Sequence, residues 1–272
     1  MGFIQETKIQ INLGVSKEYT LIQFSDVHAV TYDKISDESE LIIKAINQEK
    51  LWMQQRLDFA EKFQENYDSN KLFSSIECLN QLIDYANKQN PDLVILTGDI
   101  IDYYSPTNFA YLKKTINRIK SSYLFSCGNH EYPSRYFFDM CQGNCDINYI
   151  DFKEFMVISI DDSIGKIKPN QLNAFKMLLR RKIPIILAMH IPIMTEYNRE
   201  KLIKLDSYYS IKYNDCDDTT LQFIRLVSTR DEIKAILCGH THGSITSMVA
   251  PNKPQYCCSS GLIGFINRIT IK

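Results

Sequence analysis

Five short apolar runs in this chain of 272 residues each give way to a polar cluster, and that pattern constrains the fold more than any other feature. The run 20–24 leads into Ser-Asp-Val-His, 93–96 into Thr-Gly-Asp, and 123–126 into Cys-Gly-Asn-His-Glu. The run 185–188 leads into Met-His, and 235–237 into Cys-Gly-His-Thr-His. Runs of this length, rich in Val and Ile, read as strands. Longer stretches of helical period separate them. In 75–88, Ile76, Leu79, Leu82, Ile83 and Ala86 share one face before Asn90-Pro91 marks a stop. A second helix starts at Ser105-Pro106 and runs through Phe109, Leu112, Ile116 and Ile119. Alternating strands and helices give an α/β protein. In such sheets ligand sites collect where strands end, so the five clusters are expected to converge. All five histidines of the chain lie in them.

Two segments break the alternation. "INYIDFKEFMVISID" reads as a strand pair without a helix between, and the C-terminal stretch reads as strands around Pro251-Asn252-Lys253-Pro254, which makes the sheet mixed. The region 37–67 reads as a helical insertion with Asp37 and Glu40 placed as a capping box. Ile42, Ile46, Met53, Leu57, Ala60 and Phe63 supply its partial apolar faces. It lengthens the path between the first two clusters beyond what a crossover needs, and either packs as an ordinary amphipathic helix or caps the site. No repeat or linker interrupts the chain, so one domain over 1–272 is expected.

The composition excludes several function classes. An apolar fraction of 44%, a charged fraction of 23% and a net charge of −1 describe an ordinary globular protein without a polycationic face for long nucleic acid or anionic membrane. No apolar run approaches the ~18 residues of a membrane span. The opening "MGFIQETKIQINLG" lacks a secretory signal's basic start and apolar core, and Glu6 stands where a myristoylation signal wants Ser or Thr. The expected location is cytoplasmic. The eight scattered cysteines read as buried thiols, Cys141 and Cys145 included, and adjacent Cys257 and Cys258 would point to opposite faces of a strand.

The clusters hold seven candidate metal ligands: Asp26, His28, Asp99, Asn129, His190, His240 and His242. Taken singly, Asp26 could be a helix cap, His28 a surface side chain, and Gly98-Asp99 and Gly128-Asn129 plain turns. Taken together, imidazoles, carboxylates and one amide suit borderline-hard divalent ions. Seven ligands exceed a tetrahedral site, whereas two ions ~3.5–4 Å apart sharing a carboxylate could use them all. Gly98, Gly128 and Gly239 let the backbone turn sharply beside them.

In order, the blocks DxH, GD, GNH[ED], a lone His and GHxH resemble those of the calcineurin-like metallophosphoesterases, over the stretch from Asp26 to His242. The resemblance implies a four-layer α/β/β/α sandwich of two mixed β-sheets flanked by helices. It implies Asp26, His28 and His242 on one metal, Asn129, His190 and His240 on the other, and Asp99 as the bridge. The cofactors would be two divalent or trivalent ions, manganese, iron or zinc, activating a hydroxide to attack phosphorus. His130 would protonate the leaving group, with Asp102 as its carboxylate partner. "GDIIDYY" lacks the arginine that protein serine/threonine phosphatases carry after this block, and has Asp102 where purple acid phosphatases need a tyrosine ligand. "SIDDSIGKIKPNQLNAFKMLL" followed by "PIILAMHIPI" looks like the bacterial class III cyclic-nucleotide phosphodiesterase-like branch. The expected substrates are therefore small phosphomonoesters or phosphodiesters. A nuclease of the same superfamily and a metal-binding scaffold without turnover are the alternatives. Neither a GxxxxGK[ST] loop nor a GxGxxG fingerprint is present, against a kinase or dehydrogenase.

Overall fold

In the computed structural model, which describes residues 3–65, 72–204 and 210–272, the apolar runs form strands at the centre of two stacked sheets. The first half of the chain contributes β1 (Gln5–Ile11), β2 (Tyr19–Phe24), β3 (Leu93–Thr97) and β4 (Tyr123–Ser126), with helices α1 (Ser39–Lys62), α2 (Ser75–Gln89) and α3 (Pro106–Ile116). Next come β5 (Ile147–Asp151), β6 (Met156–Ile160), α4 (Pro169–Leu179), β7 (Ile185–Ala188), β8 (Ile193–Met194), α5 (Arg199–Ile203) and β9 (Ile211–Lys212). The chain ends with α6 (Asp218–Thr229), β10 (Ile233–Cys238), β11 (Ile245–Ala250), β12 (Lys253–Cys257) and β13 (Phe265–Ile271).

One sheet has the order β1-β13-β2-β3-β4 and the other β11-β12-β10-β7-β6-β5. Both are mixed: β2, β3 and β4 run parallel while β13 opposes β2, and β6, β7, β10 and β12 run parallel between antiparallel edges β5 and β11. Three cores stack through the molecule. Leu21, Ile95, Val157, Ile186, Ala235 and Leu237 pack between the sheets. Leu79, Leu82 and Ile83 of α2 and Leu112 and Ile116 of α3 cover the outer face of the first sheet. Phe175 of α4 and Phe223 of α6 cover that of the second. Strands buried on both faces explain why they read as unbroken apolar runs rather than alternating ones. The result is the four-layer sandwich that the resemblance implies.

Helix ends follow local chemistry. Ser74 and Glu77 close a capping box on α2, which stops at left-handed Asn90. Ser105 caps α3, with Pro106 in the first turn. The capping box placed at Asp37 and Glu40 is not there. Helix α1 begins at Ser39 behind Glu38, without a side-chain cap. Asp37 is instead consumed two residues earlier, accepting from the Asp33 N–H at 2.8 Å and the Thr107 hydroxyl at 2.6 Å.

The buried stripe of α1 also differs from the expected one. Ala45, Trp52, Arg56 and Ala60 are buried, whereas Ile46 is exposed and Ile42, Met53, Leu57 and Phe63 are only half-buried. Polar side chains belong on that stripe because the helix lies against backbone and polar groups. Glu49 accepts from the backbone N–H and hydroxyl of Ser75, and Arg56 donates to the Phe73 carbonyl. Residues 66 and 67, the end of the expected insertion, lie outside the described residues. The eight cysteines are free thiols, six of them buried. No helix among the described residues is long and apolar enough to cross a membrane.

Candidate metal centre

The carboxyl ends of β2, β3, β4, β7 and β10 meet along one rim, and all seven candidate ligands stand there. Five of them, Asp26, His28, Asp99, His240 and His242, have φ between 48° and 69°, in the left-handed region. That conformation costs non-glycine residues free energy and persists only where surrounding contacts hold it. The contacts are on view: Asp26 N–H donates to the Gly98 carbonyl, His28 N–H to the Asp99 carbonyl, and His240 N–H to both oxygens of Asp26. Glycine is needed where loops cross. A Cβ on Gly128 would sit 2.2 Å from Asp99 Oδ1, and one on Gly239 would sit 1.8 Å from the Ser25 hydroxyl.

Two donor clusters result. In the first, His28 Nε2 and His242 Nε2 are 3.1 Å apart, with Asp26 Oδ1 3.4 Å from His242 Nε2. In the second, His190 Nε2 is 3.1 Å from His240 Nδ1, from Asn129 Oδ1 and from Asp99 Oδ2. Asp99 Oδ2 also lies 3.9 Å from His28 Nε2, so one carboxylate oxygen faces both clusters.

The donor set fits two cations. Two imidazole nitrogens 3.1 Å apart share at most one proton, which leaves lone pairs aimed at a common point. Nδ1 of His242 is buried without a hydrogen-bond partner, and Nδ1 of His28 has Asp102 Oδ1 at 3.4 Å. Burial lowers His28 to about 4, and burial with neighbouring His190 lowers His240 to about 3, so both rings are neutral as ligands must be. Burial pushes the Asp26 and Asp99 carboxyls up, but the imidazoles facing them outweigh it and hold both below the usual carboxylate range. For His190, burial is outweighed by Asp99, which raises the ring to about 10. A cation held by these donors would take the proton's place.

Two supporting carboxylates have roles that the sequence does not show. Glu131 is fully buried and accepts from the N–H groups of Gly128, Asp99, Ile100 and Ile101 at 2.7–3.0 Å, tying the second and third blocks together. Burial and the Asp99 charge push its carboxyl up to about 7 against the pull of those donors. Asp162 accepts from the N–H groups of His190 and Ile191, fixing the fourth block. Glu131 sits inside the quoted third block and Asp162 in an Asp-Asp pair after β6, yet only their burial reveals what they do.

Asp102 and His130 stand beside the first cluster. His130 Nδ1 is 2.5 Å from the Asp102 carbonyl and 3.4 Å from Asp102 Oδ1, and the same Oδ1 is 3.4 Å from His28 Nδ1. Burial opposes protonation of His130, but Asp102 and Asp99 outweigh it and raise the ring to about 9. Beyond His130 opens a cleft of about 440 Å³ lined by Asp102, Tyr103, Tyr104, Asn129, His130, Tyr132 and Pro133. Helix α1 covers the opposite side, with Trp52 against His28 and Phe59 against His242.

The profile of a family described as calcineurin-like phosphoesterase matches residues 19–244. A probable cyclic nucleotide phosphodiesterase of Coxiella burnetii is 24% identical over 166 residues, covering 57% of this chain and 62% of the relative. The chain thus spans less than two thirds of that relative's length. A dimetal phosphatase from Danio rerio superposes with a TM-score of 0.54 at 12% identity, covering 90% of this chain and 88% of the other. A purple acid phosphatase from yellow lupin (Lupinus luteus) seeds gives 0.50 at 12% identity, covering 93% of this chain and 45% of the other. At such identity both likenesses establish the fold alone.

Proposed function

Since the chain belongs to the calcineurin-like phosphoesterase family, we propose that it hydrolyses small phosphate esters through a dinuclear metal centre at the rim where its seven candidate ligands meet. The observation that carries the proposal is Asp99 Oδ2 standing between two clusters of donors, 3.1 Å from one and 3.9 Å from the other. Asp26, His28 and His242 would hold one ion, Asn129, His190 and His240 the second, and Asp99 both. When bound, two such cations would supply a nucleophile from water at neutral pH and neutralise the charge that develops on the phosphoryl oxygens. The chain's own residues supply the rest. Glu131 and Asp162 lock the ligand-bearing loops. Asn129, the exposed ligand, borders the cleft and is placed to touch a phosphate oxygen as well. His130, held through Nδ1 by Asp102, lines the cleft and would give a leaving oxygen there its proton.

The cleft wall favours a ring-bearing organic group. Tyr132 and Tyr104 are 58% and 37% exposed, and Tyr104 stacks on Tyr136 at 4.3 Å. Stacking of one base on such a surface is worth about 1–3 kcal/mol. No lysine or arginine is among the residues lining the cleft, which suits one phosphate rather than a polyanion. The reading is thus of a phosphodiesterase or phosphatase for small esters, in keeping with the name of the Coxiella relative.

The test is a substrate panel for the metal-reconstituted protein: alkyl and aryl monoesters, cyclic nucleotides, linear diesters and single-stranded DNA. Metal-dependent turnover of small esters is expected, with roughly tenfold lower KM for those carrying an aromatic ring and loss of that preference in Tyr132→Leu. Preference for single-stranded DNA would make the protein a nuclease. No turnover by a protein that binds both metals would make it a scaffold.

A further inference from the structure

We propose that Trp52 is a positioning residue of this centre: its indole fixes the Asp102 carboxylate and seals one face of the His28 imidazole. The proposal rests on the phosphoesterase reading above, but the contacts that carry it come from a helix outside all five sequence blocks. Trp52 is the single tryptophan of the chain and is buried in the middle of α1. Its Nε1 donates to Asp102 Oδ1 at 2.5 Å, a short bond to an anion. Its ring lies flat on His28, with centroids 3.7 Å apart and planes 20° from parallel, and comes within 5.5 Å of the His242 ring.

The rest of α1 follows the same surface. Two turns on, Phe59 places its ring 4.9 Å from that of His242. Just past the helix, Glu65 accepts from the Ser244 N–H beside the fifth block at 3.4 Å. Near the other end, Lys44 sits 3.7 Å above the ring of Tyr103 in the cleft wall. One helix therefore touches the first cluster, the acid's partner and the cleft.

Chemistry explains why an indole suits this place. Asp102 Oδ1 stands 3.4 Å from Nδ1 of both His28 and His130, between a candidate ligand and the candidate acid. A carboxylate's terminal torsion is soft, so two distant imidazoles alone would leave it free to turn. The indole N–H points at one oxygen and removes that freedom. Trp is the apolar side chain that carries such a donor, and a phenyl ring, though smaller, would keep an apolar face on His28 without fixing the acid. The stacked face meanwhile keeps water from His28, which strengthens every electrostatic contact beneath it.

The experiment compares Trp52→Phe, Asp102→Asn and the double variant, all metal-loaded, with alkyl and para-nitrophenyl esters. Trp52→Phe is expected to keep its metal and lose roughly tenfold in rate with alkyl leaving groups, the effect of one hydrogen bond to a charged group. With para-nitrophenolate, which leaves without a proton, the loss should nearly vanish. In the Asp102→Asn background the Trp52 substitution should cost nothing further, because Trp52 acts through that carboxylate. Additive losses, or equal losses for both esters, would overturn the proposal. A second readout needs neither variant nor turnover. With one tryptophan, the protein's indole emission reports this contact alone, so zinc added to the metal-stripped wild type should change its intensity in step with binding. Emission of a water-exposed indole, or none of this response while zinc binds, would also overturn it. A protein that shows the response yet hydrolyses no ester would sink the phosphoesterase reading and leave the Trp52 contact supported.

Discussion

His130→Asn is expected to lower the rate with alkyl leaving groups roughly 10²–10⁴-fold, the size of an acid–base contribution, while metal content stays close to wild type. An alkoxide cannot leave without a proton, and His130 is the imidazole placed to give one. It is 30% exposed at the edge of the cleft, with Nδ1 against the Asp102 carbonyl and carboxylate. Burial works against its charge, yet Asp102 and Asp99 hold it protonated up to about 9, and cations in the centre would draw that value back toward neutrality. An imidazole that titrates near neutrality can carry a proton and lose it at modest driving force. Para-nitrophenolate leaves unaided, so the same variant should lose far less with that ester. Equal losses across leaving groups, measured as kcat over a series of esters, would show that His130 positions substrate instead.

Asp99→Asn is expected to strip both metals, whereas Asp26→Asn should empty one site. Asp99 is 2% exposed, faces His190 and His28 through Oδ2, and accepts the His130 N–H through Oδ1 at 2.9 Å. An amide keeps the shape but brings N–H donors or a neutral oxygen to a point where two cations need negative charge. Its rate loss should exceed the ~10–100-fold that follows removal of a group merely hydrogen-bonded to a ligand. Metal content and kcat measured on both variants decide the matter. Comparable losses in the two would count against a shared carboxylate.

The strands and their polar ends were legible because burial on both faces writes an unbroken apolar run, and because metal chemistry draws on few residue types. Block order then carried the seven candidate ligands, His130 and Asp102 across some two hundred residues of chain. The roles of the supporting residues were not legible for a physical reason. Glu131, though it fills the last position of the GNH[ED] block, and Asp162 work by accepting backbone N–H groups from loops about thirty residues away, which the sequence does not show. Helix α1 was visible as a helix but its stripe was misplaced. Apolar periodicity finds the face that meets a hydrophobic core, whereas α1 meets a polar rim with Glu49, Trp52 and Arg56. The cap at Asp37 failed because a loop bond to Asp33 competed for the same carboxylate. Helix α4 carried a weaker periodic signal than α2 did, whereas α6 is as amphipathic as α2.

The central claim is that Asp99 holds two ions at once. Crystals of the metal-reconstituted protein, with anomalous scattering collected at the edge of the loaded metal and elemental analysis of the same sample, test it most directly. Two anomalous peaks ~3.5–4 Å apart, one on each side of the Asp99 carboxylate, with about two ions per chain, are the expected result. A single peak at full occupancy under excess metal would contradict it.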